Sequence, residues 1–344
     1  MTAAIQTNTL YILTNGAYLR REHETLEVHV DGACRLRAPI RNVENVVAFG
    51  RTIVTPEAMR LCADFGVAIA FLTDTGRFLA RVDAPGSGNV LLRRQQFRAA
   101  DDPVMTLHLA RSIVLGKLVN SRAVLLRHAR EADAAREEAL RRAAQRIAEA
   151  MDLALAAPDI DALRGFEGMG SRAYFNGLPF ALKQQRETFV FAGRSRRPPR
   201  DYANALFSFL YALVLADCIA ALQATGLDPS VGYLHEDRPG RPSLGLDLLE
   251  EFRSLVADRL ALALINRRQI TEADFERREG GAVLLNDNGR RKVVTEYQRR
   301  KQEEIPHPFL GQTHRLAQVY CLQARLLART IRGELAEYPP LTQR

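Results

Sequence analysis

The sequence lacks the residue patterns that mark several common classes of protein. Its four cysteines, Cys34, Cys62, Cys218 and Cys321, are scattered without a CxxC pair, so no zinc ribbon is expected, and we interpret them as small core residues in a reducing cytoplasm. No Gly-x-Ser-x-Gly motif is present, so a serine hydrolase would lack its nucleophile elbow. The first residues contain no basic region followed by an apolar stretch and a cleavage site, so we expect a cytoplasmic protein without a secretion signal.

Long apolar runs are also absent. The longest, Phe207–Leu222, is interrupted by Asp217 and is short for a membrane span, so we interpret it as a buried helix and expect no membrane association. The chain has 344 residues, of which 47% are hydrophobic and 26% are charged. This profile is typical of a soluble globular protein that is long enough for two domains.

Positive charge is in excess, and nearly all of it is arginine. The formal net charge is +8. Because the guanidinium group makes bidentate contacts with phosphate, this composition permits nucleic-acid binding. A GC-rich genome would also enrich arginine and alanine, and composition alone does not separate the two explanations.

Residues 1–88 are predicted to form a mostly β domain. Four runs rich in β-branched and apolar residues indicate strands: Leu10–Thr14, Leu26–Val30, Val46–Phe49 and Val67–Leu72. The turn Asp74-Thr75-Gly76 predicts a hairpin that leads into Phe78–Val82. A short helix is predicted over Glu57–Phe65, with Thr55 as its N-cap and Gly66 as its stop.

Residues 89–344 are predicted to form a larger all-α domain, separated from the first by a linker at residues 83–88. Apolar residues at three- and four-residue spacing predict six helices: Val104–His128, Ala134–Leu155, Asp161–Phe175, Tyr202–Thr225, Leu246–Ile265 and Leu316–Leu335. Gly226 is a predicted helix stop, and the charged stretch around Arg277–Arg300 is expected to be mobile. The predicted fold class is therefore α+β.

Three segments contain polar groups that a core does not need. In the first, Glu167 lies between glycines before an apolar helical pattern, which predicts a carboxylate near a helix start with room for a metal or a phosphate. In the second, His235 ends an apolar run before a Pro/Gly turn. In the third, Asp247 and Glu250 share one helix face and repel unless a cation lies between them.

Each segment also has a structural explanation. Glu167 fits a surface loop, His235 fits a hydrogen-bonded structural histidine, and the acidic pair fits a solvated face paired with Arg253. Taken together, one imidazole and two or three carboxylates suit Mg²⁺ or Mn²⁺ with an open coordination shell for phosphate. Such an ion would polarise a phosphodiester and activate an attacking hydroxyl.

Several ordered segments carry a resemblance to a known family. They are residues 88–95 (GNVLLRRQ), 117–122 (KLVNSR), 165–175 around Glu167, 197–206 (RPPRDYANAL), 232–235 (GYLH), 247–253 (DLLEEFR) and 323–328 (QARLLA). In this order and spacing the chain resembles the CRISPR-associated integrase of the adaptation module, and it looks most like the branch found with type I-C systems.

The resemblance implies a metal site and a reaction. The family's metal ligands map onto Glu167, His235 and Glu250, which would bind Mg²⁺ or Mn²⁺ as the catalytic centre, with Asp247 as a supporting acidic residue. Position 251 often carries proline in the family, and here it is Glu251. The implied reaction is the insertion of short DNA duplexes, the spacers, into a CRISPR array. A 3′-hydroxyl attacks a repeat phosphodiester in a transesterification, and water attacking instead gives nuclease activity.

The resemblance also implies architecture and partners. The N-terminal β-sandwich-like domain would dimerise, and the C-terminal helical domain would be catalytic. A small ferredoxin-like protein would join two integrase dimers in a heterohexameric complex on double-stranded DNA. Candidate DNA contacts are Tyr174, Arg194, Arg196, Arg197, Arg200 and Arg253, although Tyr174 also fits a core position and the arginine run also fits a solvated loop.

Two other functions stay open at the level of the sequence. The chain could be a catalytically silent DNA-binding component of the adaptation complex, against which the complete set of ligand-type residues argues. It could also be an unrelated hydrolase that uses His235 with Asp247, although no nucleophile motif accompanies that pair.

Overall fold

The chain forms a β-rich N-terminal region followed by a larger helical region, in a computed structural model that describes residues 9–73, 78–82, 90–191, 193–195 and 198–343. The N-terminal strands are β1 (Thr9–Ile12), β2 (Tyr18–Glu22), β3 (Thr25–Val30), β4 (Ala33–Pro39), β5 (Asn45–Phe49), β6 (Ile53–Val54), β7 (Ala68–Leu72) and β8 (Phe78–Val82). Helix α1 (Pro56–Asp64) lies between β6 and β7. The predicted α+β class is confirmed.

Two four-stranded sheets make up this region. One has the strand order β1-β5-β7-β8, with parallel pairing of β5 to both β1 and β7 and antiparallel pairing of β7 to β8. The other has the order β4-β3-β2-β6. The sequence did not predict β2 or β4. Strand β2 ends in the charged run Arg20–Glu22, and β4 is exposed along nearly its whole length, although Cys34, Leu36 and Ala38 alternate with arginines in it. The turn at Asp74-Thr75-Gly76 and the linker at residues 83–88 lie outside the described residues.

The helical region contains most of the core. Its helices are α2 (Val90–Asp101), α3 (Pro103–Ala129), α4 (Ala134–Leu155), α5 (Ile160–Gly177), α6 (Tyr202–Thr225), α7 (Ser243–Phe252), α8 (Arg259–Asn266), α9 (Asp287–Gln302) and α10 (Leu316–Ile331). Val47, Phe49 and Leu72 of the first sheet pack into the same core, where the rings of Phe49 and Phe209 lie 5.5 Å apart. The β-rich and helical regions are therefore joined by apolar packing.

Helix α6 is apolar on all sides. Within the described residues it is the one helix long and apolar enough to cross a membrane, and 83% of that apolar window is buried inside the protein. Asp201 caps its start by accepting a hydrogen bond from the backbone of Asn204, and Gly226 ends it with a φ of 92°. The buried helix and its glycine stop agree with the prediction.

The predicted helix Leu246–Ile265 is one continuous rod with an irregular centre. Helix α7 passes into a π-helical segment, Arg253–Asp258, which leads directly into α8. Insertions of this kind are frequent at functional sites, because they change the direction in which side chains project from a helix.

The prediction of a mobile stretch around Arg277–Arg300 is wrong. Helix α9 begins after its N-cap Asn286, and it buries Val293, Val294 and Tyr297. This apolar stripe was not recognised from the sequence, because charged residues outnumber the apolar ones in the helix. The helical region also contains two short antiparallel pairs, β9 (Phe275–Arg277) with β10 (Val283–Leu285), and β11 (Glu304–His307) with β12 (Gln312–Arg315).

Candidate metal centre

Glu167 lies within helix α5, and not near a helix start as predicted. The helix begins at its N-cap Asp159, whose carboxylate accepts a hydrogen bond from the backbone of Ala162, so Glu167 lies about two turns further on. Ser171, one turn later, donates a hydrogen bond of 2.8 Å to Glu167 Oε1. A side chain at Gly170 would lie 2.4 Å from Leu118, so this glycine serves the close packing of α5 on α3.

His235 is oriented by Asp247. The carboxylate of Asp247 is fully buried and accepts hydrogen bonds from the backbone N–H groups of Tyr233, Leu234 and His235, at 2.6, 3.0 and 3.0 Å. Its Oδ1 also lies 2.7 Å from His235 Nδ1. Because Nδ1 is engaged, Nε2 is the imidazole nitrogen that faces the site, 3.9 Å from Glu250 Oε1.

Glu250 lies at the centre of the ionic contacts. Its Oε1 is 3.3 Å from the guanidinium of Arg253, and its Oε2 is 2.8 Å from Lys117 Nζ. Lys117 also forms a short contact with Glu167 Oε1, so one ammonium group bridges the two carboxylates. Oε2 is buried and has no correctly aligned hydrogen-bond donor among the described residues. The predicted repulsion between Asp247 and Glu250 is relieved by backbone N–H groups on one side and cations on the other.

The charges of these side chains hold one another in their ionised forms. Burial raises the pKa of Glu250, but Arg253 and Lys117 outweigh it and lower the pKa to about 2. Burial likewise raises the pKa of Glu167, and the charge of Lys117 lowers it below its ordinary value. Burial lowers the pKa of Lys117, and Glu250 and Glu167 raise it above its ordinary value. The site is therefore a compensated set of full charges.

A cavity of about 300 Å³ opens onto this set of charges. Its lining residues are Lys117, Arg164, Glu167, Leu234, His235, Glu236, Arg238, Arg241, Glu250 and Arg253. Glu250 is the most buried carboxylate of the lining. Arg164, Arg238 and Arg241, which we call the wall arginines, add positive charge, and Glu236 contacts two of them, Arg164 at 3.2 Å and Arg238 at 3.1 Å. An anion such as a phosphate group fits this charge distribution.

The donor atoms suit a divalent cation. Two carboxylates and one imidazole nitrogen line the same cavity, and one carboxylate oxygen has an unused hydrogen-bonding position. In this conformation the three side chains are not gathered tightly enough to enclose one ion, because Lys117 Nζ takes up the space between the carboxylates. The residues therefore fit the ion by the chemistry of their donor atoms, while the position between the carboxylates is taken by the ammonium group.

The candidate DNA contacts fall into three groups. Tyr174 is buried and donates a hydrogen bond to Asp258, so the DNA contact is wrong and the core alternative holds. Arg194 is held inside the protein by Asn204, at 2.6 Å, and its guanidinium lies over the ring of Tyr211, which also argues against a DNA contact. Arg200 is exposed, Arg253 lines the cavity, and Arg196 and Arg197 lie outside the described residues.

A second cluster of ligand-type residues lies in the N-terminal region. Glu27, His29 and Cys34 bring their polar atoms within 4.8 Å of one another, and they are the one such group of three among the described residues. However, Arg20 and Arg37 each lie 2.8 Å from the carboxylate of Glu27. Hydrogen bonds from His29 and Arg20 lower the pKa of Glu27 to about 2. This carboxylate is neutralised by the protein itself and holds the sheet β4-β3-β2 together.

Lys117 and the wall arginines are site residues that were not predicted from the sequence. Lys117 belongs to a segment that carried the resemblance, but nothing in its spacing connects it to Glu167 or Glu250, 50 and more positions away. Arg238 and Arg241 follow His235 in a Pro/Gly turn, and this proximity is the signal that could have indicated them.

Comparison with known proteins identifies relatives along the whole chain. The family model described as "CRISPR associated protein Cas1" matches residues 10–299. A CRISPR-associated endonuclease Cas1 of Moorella thermoacetica is 48% identical over 339 residues, which cover 98% of each chain. Another, of Rhodospirillum rubrum, is 47% identical over 338 residues, or 97% of each chain. These relatives are named endonucleases, which confirms the enzyme class that the sequence predicts.

Solved structures share the fold at lower identity. A CAS1 protein from Thermotoga maritima superposes with a TM-score of 0.82 at 24% identity, covering 98% of this chain and 100% of that one. A casposase bound to an integration product superposes with a TM-score of 0.82 at 23% identity, covering 96% and 93%. With a family model that spans most of the sequence and near-half identity over full length, the chain belongs to the family of CRISPR-associated Cas1 proteins.

Proposed function

We propose that the protein is a divalent-metal-dependent DNA endonuclease and integrase that inserts short DNA duplexes into a CRISPR array. The observation that carries the proposal is that Glu167, His235 and Glu250 line the same cavity as the wall arginines and Arg253. Acidic and imidazole ligands suit Mg²⁺ or Mn²⁺, and cationic side chains around them suit a phosphodiester.

Glu167, His235 and Glu250 would hold the ion. When bound, the ion supplies Lewis-acid polarisation of the phosphate and lowers the pKa of an attacking hydroxyl. Asp247 keeps His235 Nδ1 engaged, so that Nε2 is presented to the cavity. Because a neutral imidazole is needed for ligation, acid pH is expected to weaken metal binding.

The arginines would position the DNA. Arg164 is held by the backbone carbonyl of Leu234, at 2.9 Å, so its guanidinium is fixed at the cavity wall next to His235. Arg253 also lines the cavity, 3.3 Å from Glu250 Oε1, and adds a second fixed charge. These groups would orient a repeat phosphodiester for attack by the 3′-hydroxyl of a spacer end, while water in place of that hydroxyl would give nuclease activity. The reverse reaction would release a mis-inserted branch.

The proposal extends to partners. Solved structures with this fold include one titled a Cas6-RT-Cas1–Cas2 complex, with a TM-score of 0.84 at 23% identity, covering 98% of this chain and 36% of that chain. Another is titled a TtCas1–DNA complex, with a TM-score of 0.56 at 19% identity. These neighbours support DNA as ligand and an adaptation partner. The resemblance implies in addition that the DNA is double-stranded, that the protein forms a homodimer and that a small ferredoxin-like protein joins two dimers. The type I-C-like branch stays a prediction.

The alternative is a DNA-binding component without catalysis. It is disfavoured by the conformation of the site, since three buried or half-buried ionisable residues and an oriented histidine are costly to maintain for structure alone. An unrelated hydrolase built on His235 and Asp247 is disfavoured as well, because Asp247 is saturated by three backbone donors and has no nucleophile beside it among its described contacts.

The deciding experiment supplies short duplex DNA and a repeat-bearing plasmid, with and without the small partner, in Mg²⁺, Mn²⁺ or EDTA. We expect cleavage of DNA and joining of the duplex to the plasmid with metal, and neither with EDTA. Glu167→Gln serves as the matched variant, since it keeps the size of the side chain and removes its charge. Binding of DNA without cleavage or joining by the wild type in metal would favour the silent alternative, undiminished joining by Glu167→Gln would remove Glu167 from the metal ligands, and activity in EDTA would favour the hydrolase.

A further inference from the structure

Lys117 is the feature of the site that the proposed function does not use. Its side chain is only 11% exposed, and its ammonium group contacts both Glu167 and Glu250. A buried lysine is rare unless it is paired, because removing the charge from water is costly. Burying the two charged carboxylates without a cation would also be costly, so each of the three charges depends on the others.

The ammonium group lies where a cation shared by both carboxylates would lie. It bridges Glu167 Oε1 and Glu250 Oε2, which are the atoms of two of the proposed metal ligands. A divalent ion bound to the same two carboxylates would lie at contact distance from the ammonium, and like charges at that distance inside a protein repel strongly. The lysine and the ion therefore exclude each other from this position.

The backbone around Lys117 is closely packed, so we do not expect a movement of helix α3 to relieve this repulsion. On one side, a side chain at Gly116 would lie 2.5 Å from Pro340, so this part of α3 is packed closely against the C-terminal segment. On the other side, Leu118 fills the space above Gly170 of α5. Only the rotatable bonds of the lysine side chain are left to carry the ammonium group away, and the adjoining cavity offers space for it.

We propose that Lys117 is an internal counter-ion that occupies the position of the divalent cation in the metal-free enzyme and must leave it when the metal binds. The inference rests on the proposed function, because it takes Glu167 and Glu250 as metal ligands. It has two consequences. Lys117 keeps the metal-free site folded and compensated, and it competes with the metal, which lowers the affinity of the site. Once displaced, its charge faces the cavity where a phosphate would lie.

The test compares Lys117→Met with the wild-type protein, using Mn²⁺ alone as the probe and no DNA. Methionine keeps the length of the side chain and removes its charge. We expect Mn²⁺ to bind Lys117→Met roughly tenfold more tightly, by calorimetry or by the electron paramagnetic resonance of free Mn²⁺, because the competing cation is gone. We expect the metal-free variant to melt at a lower temperature than wild type, and added Mn²⁺ to raise its melting temperature more than that of wild type.

Lys301→Met is the matched control. Lys301 is another buried lysine paired with a carboxylate, Asp217, at 2.8 Å, and it lies outside the cavity. Lys301→Met should also melt at a lower temperature than wild type, but it should bind Mn²⁺ with the affinity of wild type. The double variant Lys117→Met/Glu167→Gln should regain melting temperature relative to Lys117→Met, since the unpaired carboxylate is removed. This rescue separates charge compensation from packing, and failure of the rescue counts against the inference.

The outcomes separate this inference from the proposed function. Equal or weaker Mn²⁺ binding by Lys117→Met, with saturable binding by wild type, overturns the counter-ion inference alone. Absence of saturable binding in both proteins overturns the metal site and the inference with it. If Lys117→Met folds only in the presence of Mn²⁺, the inference is supported, and Lys117→Gln then provides the affinity measurement in a side chain that keeps a hydrogen-bond donor.

Discussion

Glu250 and Glu251 are neighbours on helix α7, but they lie in opposite environments. Glu250 faces the cavity among Lys117, Arg253 and His235, and these positive charges lower its pKa to about 2. Glu251 faces the other way, where Tyr338, Gln323 and the backbone of Leu341 donate hydrogen bonds to it. Burial outweighs these neutral donors and raises the pKa of Glu251 to about 7.

The difference separates four of the carboxylates in and around the site into two classes. Those at the cavity, Glu167 and Glu250, are held ionised by cations, and both line the cavity. Those behind it, Glu251 and Asp258, are held by neutral side chains, with Tyr174 and Tyr211 donating hydrogen bonds of 2.9 and 2.6 Å to Asp258. The first class is suited to exchange one cation for another, and the second fixes the helix that carries the site.

The largest effect is expected when the charge of Glu250 is removed. Glu250→Gln should reduce Mg²⁺-dependent DNA cleavage by at least ~100-fold, because the loss of even an outer partner of a metal site costs 10–100-fold. Glu251→Gln should leave cleavage by the folded enzyme within about threefold of wild type. Glu251→Gln should instead lower the unfolding free energy by an amount on the order of 1–3 kcal/mol, because a buried hydrogen-bond network is disturbed.

Cleavage rates at saturating metal and thermal melts of both variants provide the measurements. Each variant is the control for the other, since they are adjacent and chemically identical changes. If Glu251→Gln lost cleavage as heavily as Glu250→Gln while still folded, the division into a site class and a structural class would be wrong.

Asp247→Asn should have the next largest effect, because Asp247 belongs to neither class. It touches no cation, yet it orients His235 through Nδ1 and accepts three backbone hydrogen bonds. The amide should weaken Mn²⁺ affinity by about 10–100-fold. A titration of the metal-dependent cleavage rate measures this, with the maximal rate at high metal recovering in part. Unchanged metal dependence would show that His235 needs no such support.

Much of the fold could be predicted from the sequence, and the reason is local periodicity. Helices α4 and α6 begin and end at the predicted residues, since apolar spacing and capping residues such as Asp201 lie within the segments themselves. Helix α9 was missed because its charged residues outnumber its apolar ones, and only the fold shows that Val293 and Tyr297 share a buried face. Strand β4 was missed although Cys34, Leu36 and Ala38 alternate with arginines, and none of its residues is buried in the structure.

The site could be predicted only in part, since its residues come from distant segments. His235 and Glu250 fall together with Glu167 at one cavity, as the resemblance implies. Lys117 comes from another helix, and its pairing depends on how α3 packs on α5, which no spacing rule contains. The role of Tyr174 could not be decided from the sequence, because a tyrosine on a helix near the site could either contact DNA or pack in the core. Its hydrogen bond to Asp258 in the structure assigns it to the core.

A smaller effect is expected for Asp258→Asn, measured as a function of pH. Burial raises the pKa of Asp258 to about 6 from an ordinary value of 3.8, although tyrosine hydrogen bonds and nearby arginines oppose it. Between these two values the folded protein binds a proton that the unfolded chain has released, so stability falls as pH rises from about 4 to about 6. Asparagine does not titrate, and this part of the fall should be absent from the variant.

The measurement is the unfolding free energy of both proteins by urea denaturation at pH 4.5, 5.5, 6.5 and 7.5. The difference between them should change in favour of the variant up to about pH 6 and be constant above it. A constant difference at all four values would mean that Asp258 is ionised throughout, and that it belongs with the cavity carboxylates.

The smallest effect is expected for DNA binding, when two arginines of one loop are compared. Arg200 is exposed, whereas Arg194 is held by Asn204 and Tyr211 inside the protein. If Arg200 contacts a DNA phosphate, Arg200→Ala should reduce the slope of log affinity against log salt by about one and weaken binding equally for all sequences. Arg194→Ala should leave this slope unchanged and lower the melting temperature, because the guanidinium of Arg194 contacts other residues of the folded protein.

The comparison requires measuring duplex binding at several salt concentrations for both variants, since a single affinity does not distinguish a lost phosphate contact from a partly unfolded protein. Equal slopes for Arg200→Ala and wild type would remove Arg200 from the DNA surface and leave the cavity arginines as the basis of binding.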